Sequence, residues 1–179
     1  VIDFHTHAFP ERIAARALES LKVKINREPE TDGTVSGLTQ NMVLSGIDIS
    51  VICNIATNPK QMQNVNNFAI ETNKDFKNVI ALGSVNPDSD LVEDELIRIK
   101  NAAIPGIKIH PDYMEHDIDD SVFNETFDIC SSLGLFVITH AGFDVCSPDH
   151  VHATPDMILR VIANHPSLKL VCAHFGANC

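Results

Sequence analysis

The sequence predicts an α/β fold in which parallel strands alternate with crossover helices. Three observations carry this reading. Six short apolar runs recur along the chain, segments of helical period separate them, and four of the six runs lead directly into histidine. At 179 residues the chain suits one domain, because a core of that size buries roughly 70% of the surface its unfolded chain exposes.

Each element follows from its residues. Residues 1–4 (VIDF) form the first run, and a helix follows with Ile13, Ala17 and Leu21 on one stripe. Residues 26–34 (NREPETDGT) are polar and turn-rich, a loop before a second helix marked by Val35, Leu38 and Met42. The second run is 50–56 (SVICNIA). Asn58 before Pro59 then signals a helix start, a cap side chain preceding a proline at the first helical position, and Met62, Val65, Ala69 and Thr72 give its stripe. The third run, 79–85 (VIALGSV), precedes Val92, Leu96 and Ile99, and the fourth, 106–110 (GIKIH), precedes Phe123, Phe127 and Cys130. After the fifth run, 135–140 (LFVITH), residues 143–153 (FDVCSPDHVHA) make a connection too long for a plain turn, which marks it as functional. Thr154 before Pro155 opens the last helix, with Met157 and Val161, and the sixth run is 168–174 (LKLVCAH). Repeated βα order gives a parallel sheet. An open doubly wound sheet and part of an eight-stranded barrel both satisfy it, although no glycine-rich phosphate fingerprint follows the first run.

Composition narrows the function. Thirteen Lys and Arg against 24 Asp and Glu give a formal charge of −11, which repels nucleic-acid phosphates and anionic membranes. No apolar run approaches the ~20 residues of a membrane span. Five cysteines, an odd number without a CxxC pair, fit reduced thiols in a cytoplasmic protein that lacks only its initiator Met. Cys53 and Cys172 read as small buried apolar residues, and Cys146 lies in the long fifth loop.

The histidines carry the chemistry. In an extended strand Asp3, His5 and His7 share one face and Ile2, Phe4 and Thr6 the other, with the two histidine Cα atoms about 6–7 Å apart. Both rings can then lean onto one ion at roughly 2.0–2.1 Å. Further strands end on His110, His140 and His174, and parallel strands bring their carboxyl ends to one face. Asp3 is either placed to accept a hydrogen bond from a ligand imidazole and fix its tautomer, or is a solvated or capping carboxylate, and the sequence supports the two equally. His150 and His152 form a second HxH, but in a loop alternation has no force, so they are assigned to solvent or substrate. His116, among acidic residues, and His165, before a proline, read as surface histidines.

The motifs DFHTH, KIHP, THAG and AHFG together resemble the amidohydrolase superfamily, in particular the branch containing aminocarboxymuconate-semialdehyde and resorcylate decarboxylases. The resemblance spans the whole chain and implies a (β/α)8 TIM-barrel type domain over residues 1–179 with about six βα units present. The last two units, with the usual aspartate ligand, would lie beyond Cys179. It implies a divalent metal, one Zn²⁺, held by His5, His7 and His140. His174 would be the acid/base or a further ligand, and His110 and Lys108 would meet the substrate. In some relatives a fourth-strand lysine is carboxylated and bridges two metals, an alternative for Lys108. The implied activity is hydrolysis of a small carbonyl or amide-type substrate by a metal-activated water. The alternatives are non-oxidative decarboxylation of an unsaturated or aromatic acid, and a metal-binding module without turnover. The branch often forms homodimers.

Overall fold

Short β-rich runs fix the sheet. In the computed structural model, which describes residues 1–176, β1 spans Ile2–Thr6, β2 Ile49–Ile52, β3 Val79–Ala81, β4 Gly106–Ile109, β5 Phe136–Thr139 and β6 Lys169–Cys172. Every pairing is parallel, β1–β2–β3 in one ladder and β4–β5–β6 in a second. A single parallel bridge between Gly83 and Ile107 joins the ladders. There the N–H of Gly83 donates to the carbonyl of Gly106 at 3.2 Å, and the N–H of Lys108 donates to the carbonyl of Gly83 at 2.9 Å. Below this join, Asn66 bonds both backbone groups of Ser84, and the Ser84 hydroxyl donates to the carbonyl of Lys108 at 2.7 Å. At Gly106 the strands approach closely: a Cβ there would lie 2.4 Å from the carbonyl oxygen of Phe136.

The connecting helices are α1 (Glu11–Ile25), α2 (Val35–Ser45), α3 (Met62–Asp75), α4 (Val92–Asn101), α5 (Pro111–Met114), α6 (Asn124–Leu133) and α7 (Pro155–Asn164). Side-chain caps begin two of them. Thr34 Oγ1 accepts from the N–H of Gly37 at 2.9 Å, and Thr154 Oγ1 accepts from the N–H of Met157 at 3.3 Å. Gly46 and Gly134, at φ of 67° and 68°, close α2 and α6 in the left-handed conformation.

Two cores decide between the open sheet and the barrel. The larger joins alternate strand residues such as Ile52, Ala81, Ile107, Ile109 and Val137 to Met42, Ala69, Leu96, Phe127 and Val161 of the helices. The smaller gathers the opposite strand face, Val51, Cys53, Leu82 and Ile138 with Ala173, and contains no α-helical residue. Helices therefore cover one face only, the arrangement of a (β/α) barrel and not of a doubly wound sheet.

The strands are shorter than the apolar runs, so His110, His140 and His174 stand just past the strand ends. Strict alternation fails in β1. Register moves from Asp3–Ser50 to Thr6–Ile52, three steps on β1 against two on β2, a bulge that turns Phe4 onto Phe136 at 6.1 Å between ring centroids. Asn58 precedes a short 3₁₀ turn, Pro59–Gln61, and its side chain makes no cap bond. His165 is buried, against the surface reading: its Nδ1 lies 2.8 Å from Asp128 and its Nε2 3.1 Å from Asn124, tying the end of α7 to α6. Cys53, Cys130, Cys146 and Cys172 are free thiols, and Cys179 lies outside the described residues. No helix among the described residues is long and apolar enough to cross a membrane.

Candidate active site

Parallel strands deliver the expected histidines to one face, where their rings form a continuous series. Centroids of His7 and His5 are 5.1 Å apart, His5 and His174 4.8 Å, His174 and His140 5.1 Å, and His140 and His110 4.1 Å. The last pair is stacked, and Tyr113 stacks in turn on His110 at 3.8 Å. Local structure aims each ring. His110 precedes Pro111 at the start of α5. The N–H of His140 extends the β4–β5 ladder by donating to the carbonyl of Ile109 at 3.1 Å. His174 has a left-handed φ of 59° in the turn after β6, beside His5 and His140.

Lys108 lies on β4 with no exposed surface, and among the described residues its Nζ has no hydrogen-bond partner. Burial lowers its pKa from 10.5 to about 8. Burial comes first, and mutual repulsion with Lys108 and other imidazoles follows, in holding His5 down at about 3. Burial then Lys108 hold His140 at about 4, although Asp144 opposes the fall. His110 and His174 shift in the same direction, chiefly by burial. His7 shifts likewise, but it stands at the solvent-open side, where water screens the effect. At neutral pH the group is therefore a set of uncharged imidazoles with free lone pairs, the form that coordinates metal.

Two carboxylates that the motifs did not single out join them. Asp144 Oδ2 lies 3.6 Å from His110 Nε2 and 3.9 Å from His140 Nε2, and Asp112 Oδ2 lies 3.6 Å from His110 Nδ1 and 4.0 Å from His140 Nε2. Burial raises the pKa of Asp112. The signal for Asp144 was present: it stands four residues after His140, in the loop already marked by its length. Asp3 accepts a hydrogen bond from the backbone N–H of His5 at 3.3 Å, and among the described residues it bonds to no imidazole.

Buried side-chain atoms without a partner concentrate here. Lys108 Nζ, His110 Nδ1, both oxygens of Asp112 and His140 Nε2 are orphaned together, which fits a site built to receive a ligand. Among the described residues, His110, His140 and Asp144 offer ligand atoms within 4.8 Å of one another. The set His5, His7 and His140 does not close to that spacing, because the ring of His174 stands between the His5 and His140 rings. The surface grooves around Phe9, Pro10, Phe68 and Glu71 contain no histidine, so chemistry and not concavity identifies the site.

A one-sided (β/α) array with neutral imidazoles at its strand ends defines a barrel-type protein with a candidate metal centre. The family profile described as amidohydrolase matches residues 2–178, and the chain belongs to this family, which is divalent-metal dependent. No curated protein sequence matches. Among solved structures, an uncharacterized TIM-barrel protein from Bordetella bronchiseptica is 17% identical, with a TM-score of 0.71 over 96% of this chain and 66% of that one. The 5-carboxyvanillate decarboxylase from Sphingomonas paucimobilis is 15% identical, with a TM-score of 0.71 over 98% and 68%. A 5-carboxyvanillate decarboxylase from Novosphingobium aromaticivorans, complexed with manganese and 4-hydroxy-3-methoxy-5-nitrobenzoic acid, is 14% identical, with a TM-score of 0.72 over 98% and 65%. The chain thus spans about two thirds of the length of these structures.

Proposed function

We propose that the chain forms the metal- and substrate-handling part of a metal-dependent hydrolase acting on a small carbonyl or amide-type substrate. The observation that supports this most is the row of imidazoles held neutral by burial beside orphaned donor atoms. By the family resemblance His5, His7 and His140 would hold one divalent ion, zinc by the preference of nitrogen ligands, after the His5 and His7 rings draw in towards His140, which already stands at ligand spacing with His110 and Asp144. When bound, that ion supplies Lewis-acid polarisation and an activated water.

The remaining work belongs to this chain's own side chains. His174, next to His5 and His140 and less buried than they are, accepts a proton at its free nitrogen and returns it to the leaving group. Lys108 and His110 orient the substrate, the ammonium gripping a negatively charged group. Asp3 holds the HxH backbone through His5. A cytoplasmic location and a homodimeric assembly belong to the same proposal.

Lys108 also favours a second reading, non-oxidative decarboxylation, because its buried ammonium lacks a partner and a carboxylate would supply one. Elemental analysis of wild type and His5→Ala/His7→Ala tests the shared premise: metal is expected in the first and lost in the second, and equal metal in both refutes it. Product analysis in isotopic water separates the reactions. Hydrolysis places solvent oxygen in the product, whereas decarboxylation releases carbon dioxide and places a solvent hydrogen on carbon.

A further inference from the structure

The loops that follow β4 and β5 meet around Asp117, where His150 and His152 are near enough to act electrostatically on Asp112 of the strand-end site. Asp117, in the connection between α5 and α6, receives two histidines from the long 143–153 loop on a single oxygen. His150 Nε2 lies 2.6 Å and His152 Nδ1 2.9 Å from Asp117 Oδ1, and the two imidazole centroids are 4.4 Å apart. The three ligand atoms all lie within 4.8 Å of one another. Backbone bonds register the loops: the N–H of Ile118 donates to the carbonyl of His152 at 2.8 Å, and the N–H of Gly142 to that of Ala153 at 3.0 Å. The N–H of Asp117 donates to Asp120 Oδ2 at 2.9 Å, which fixes the aspartate's own backbone.

We infer that Asp117, His150 and His152 form a second metal site, distinct from the strand-end histidines, that takes a zinc-class dication. The donor set of two imidazole nitrogens and one carboxylate oxygen suits such an ion, and it leaves a fourth position for water. The His150 side chain is 53% exposed and that of His152 17%, so water reaches the site while one ligand stays anchored. Tetrahedral ligands about 2.05 Å from an ion stand roughly 3.3 Å apart, so each ring withdraws by less than ~1 Å to admit it. His150 has solvent to withdraw into. Protons balance without an added reagent. The ring nitrogen that faces Asp117 on each imidazole gives up its proton, to the other ring nitrogen or to solvent, and the freed lone pair binds the ion. Asp119 and Asp120 follow Asp117 closely in the chain; Arg160 pairs with Asp119 at 2.6 Å, and His116 Nδ1 lies 3.9 Å from Asp120.

Zinc chloride is titrated into the isotopically labelled 179-residue chain while imidazole nitrogens are followed by NMR. His150 Nε2 and His152 Nδ1 are expected to shift together and saturate with one zinc, and Asp117→Asn is expected to weaken that event tenfold or more. His150→Ala/His152→Ala is expected to remove one bound zinc per chain and leave the strand-end histidine resonances responsive. Unmoved His150 and His152 signals at millimolar zinc overturn the inference and leave only a hydrogen-bonded clasp. Unchanged zinc stoichiometry in the double variant overturns it equally. The wild-type resonances decide the matter even if a variant misfolds.

Discussion

Replacing Lys108 with methionine removes a buried, unpartnered ammonium while keeping a side chain of similar volume. The folded lysine has its pKa lowered from 10.5 to about 8, so the fold binds fewer protons than the unfolded chain between those values. At about 1.36 kcal/mol per pH unit, that amounts to about 3 kcal/mol of destabilisation, fully present below pH 8 and gone once both states are neutral above about pH 10.5. Lys108→Met is therefore expected to be more stable than wild type by up to about 3 kcal/mol at pH 7. The difference should shrink steadily from pH 8 to pH 10.5 as wild type gains stability. Urea unfolding of both proteins with chelator present, at pH 7 and pH 10, measures it. A less stable variant at pH 7, or a gap independent of pH, would refute the assignment of Lys108 as a desolvated cation. Because Lys108 also depresses the neighbouring imidazoles, the variant's His5 and His140 should titrate at higher pH than in wild type. Turnover should fall in the same variant if the ammonium grips substrate, so that stability and activity move in opposite directions.

Two further outcomes follow from the geometry. Protons compete with metal at His5 and His140 only near pH 3 to 4, because both stay neutral far below the ordinary histidine value; metal retained after dialysis at pH 7 should remain at pH 5, and its loss by pH 5 would contradict this. Gly106→Ala should destabilise the fold by more than about 2 kcal/mol, read from thermal or urea unfolding, since the new methyl lies 2.4 Å from a backbone oxygen that β5 cannot withdraw; a neutral effect would mean the strands separate more easily than their ladder indicates.

The sequence made the βα alternation and the histidine face legible for a physical reason. Strands buried on both faces must be continuously apolar, so GIKIH and LFVITH stand out against helical stripes. Parallel topology then sends His110, His140 and His174 to one end without any knowledge of distances. The β1 bulge was not legible, because Phe4 fits either face by composition and only the register with β2 and the contact with Phe136 reveal the irregularity. The burial of His165 depends on Asp128 and Asn124, residues 37 and 41 positions away, which no local pattern connects to it. Asp112 was hidden in the same way: a carboxylate near a strand end reads as solvated until neighbouring strands place imidazoles against it, whereas the length of its loop pointed towards Asp144. His150 and His152 show the complement, a spacing dismissed in a loop that gains meaning only when Asp117 arrives from another one.

The join at Gly83 and Ile107 separates the donors into two camps. His5 and His7 hang from the first ladder, and His110, His140 and His174 hang from the second. An ion gripped from both sides would act as a rivet across the seam, adding about 2.7 kcal/mol to its cohesion at a hundredfold excess over its Kd. Metal content and the stiffness of the barrel wall would then rise and fall together, with the Gly83 backbone bonds and the Asn66 and Ser84 brace carrying the load whenever the rivet is withdrawn.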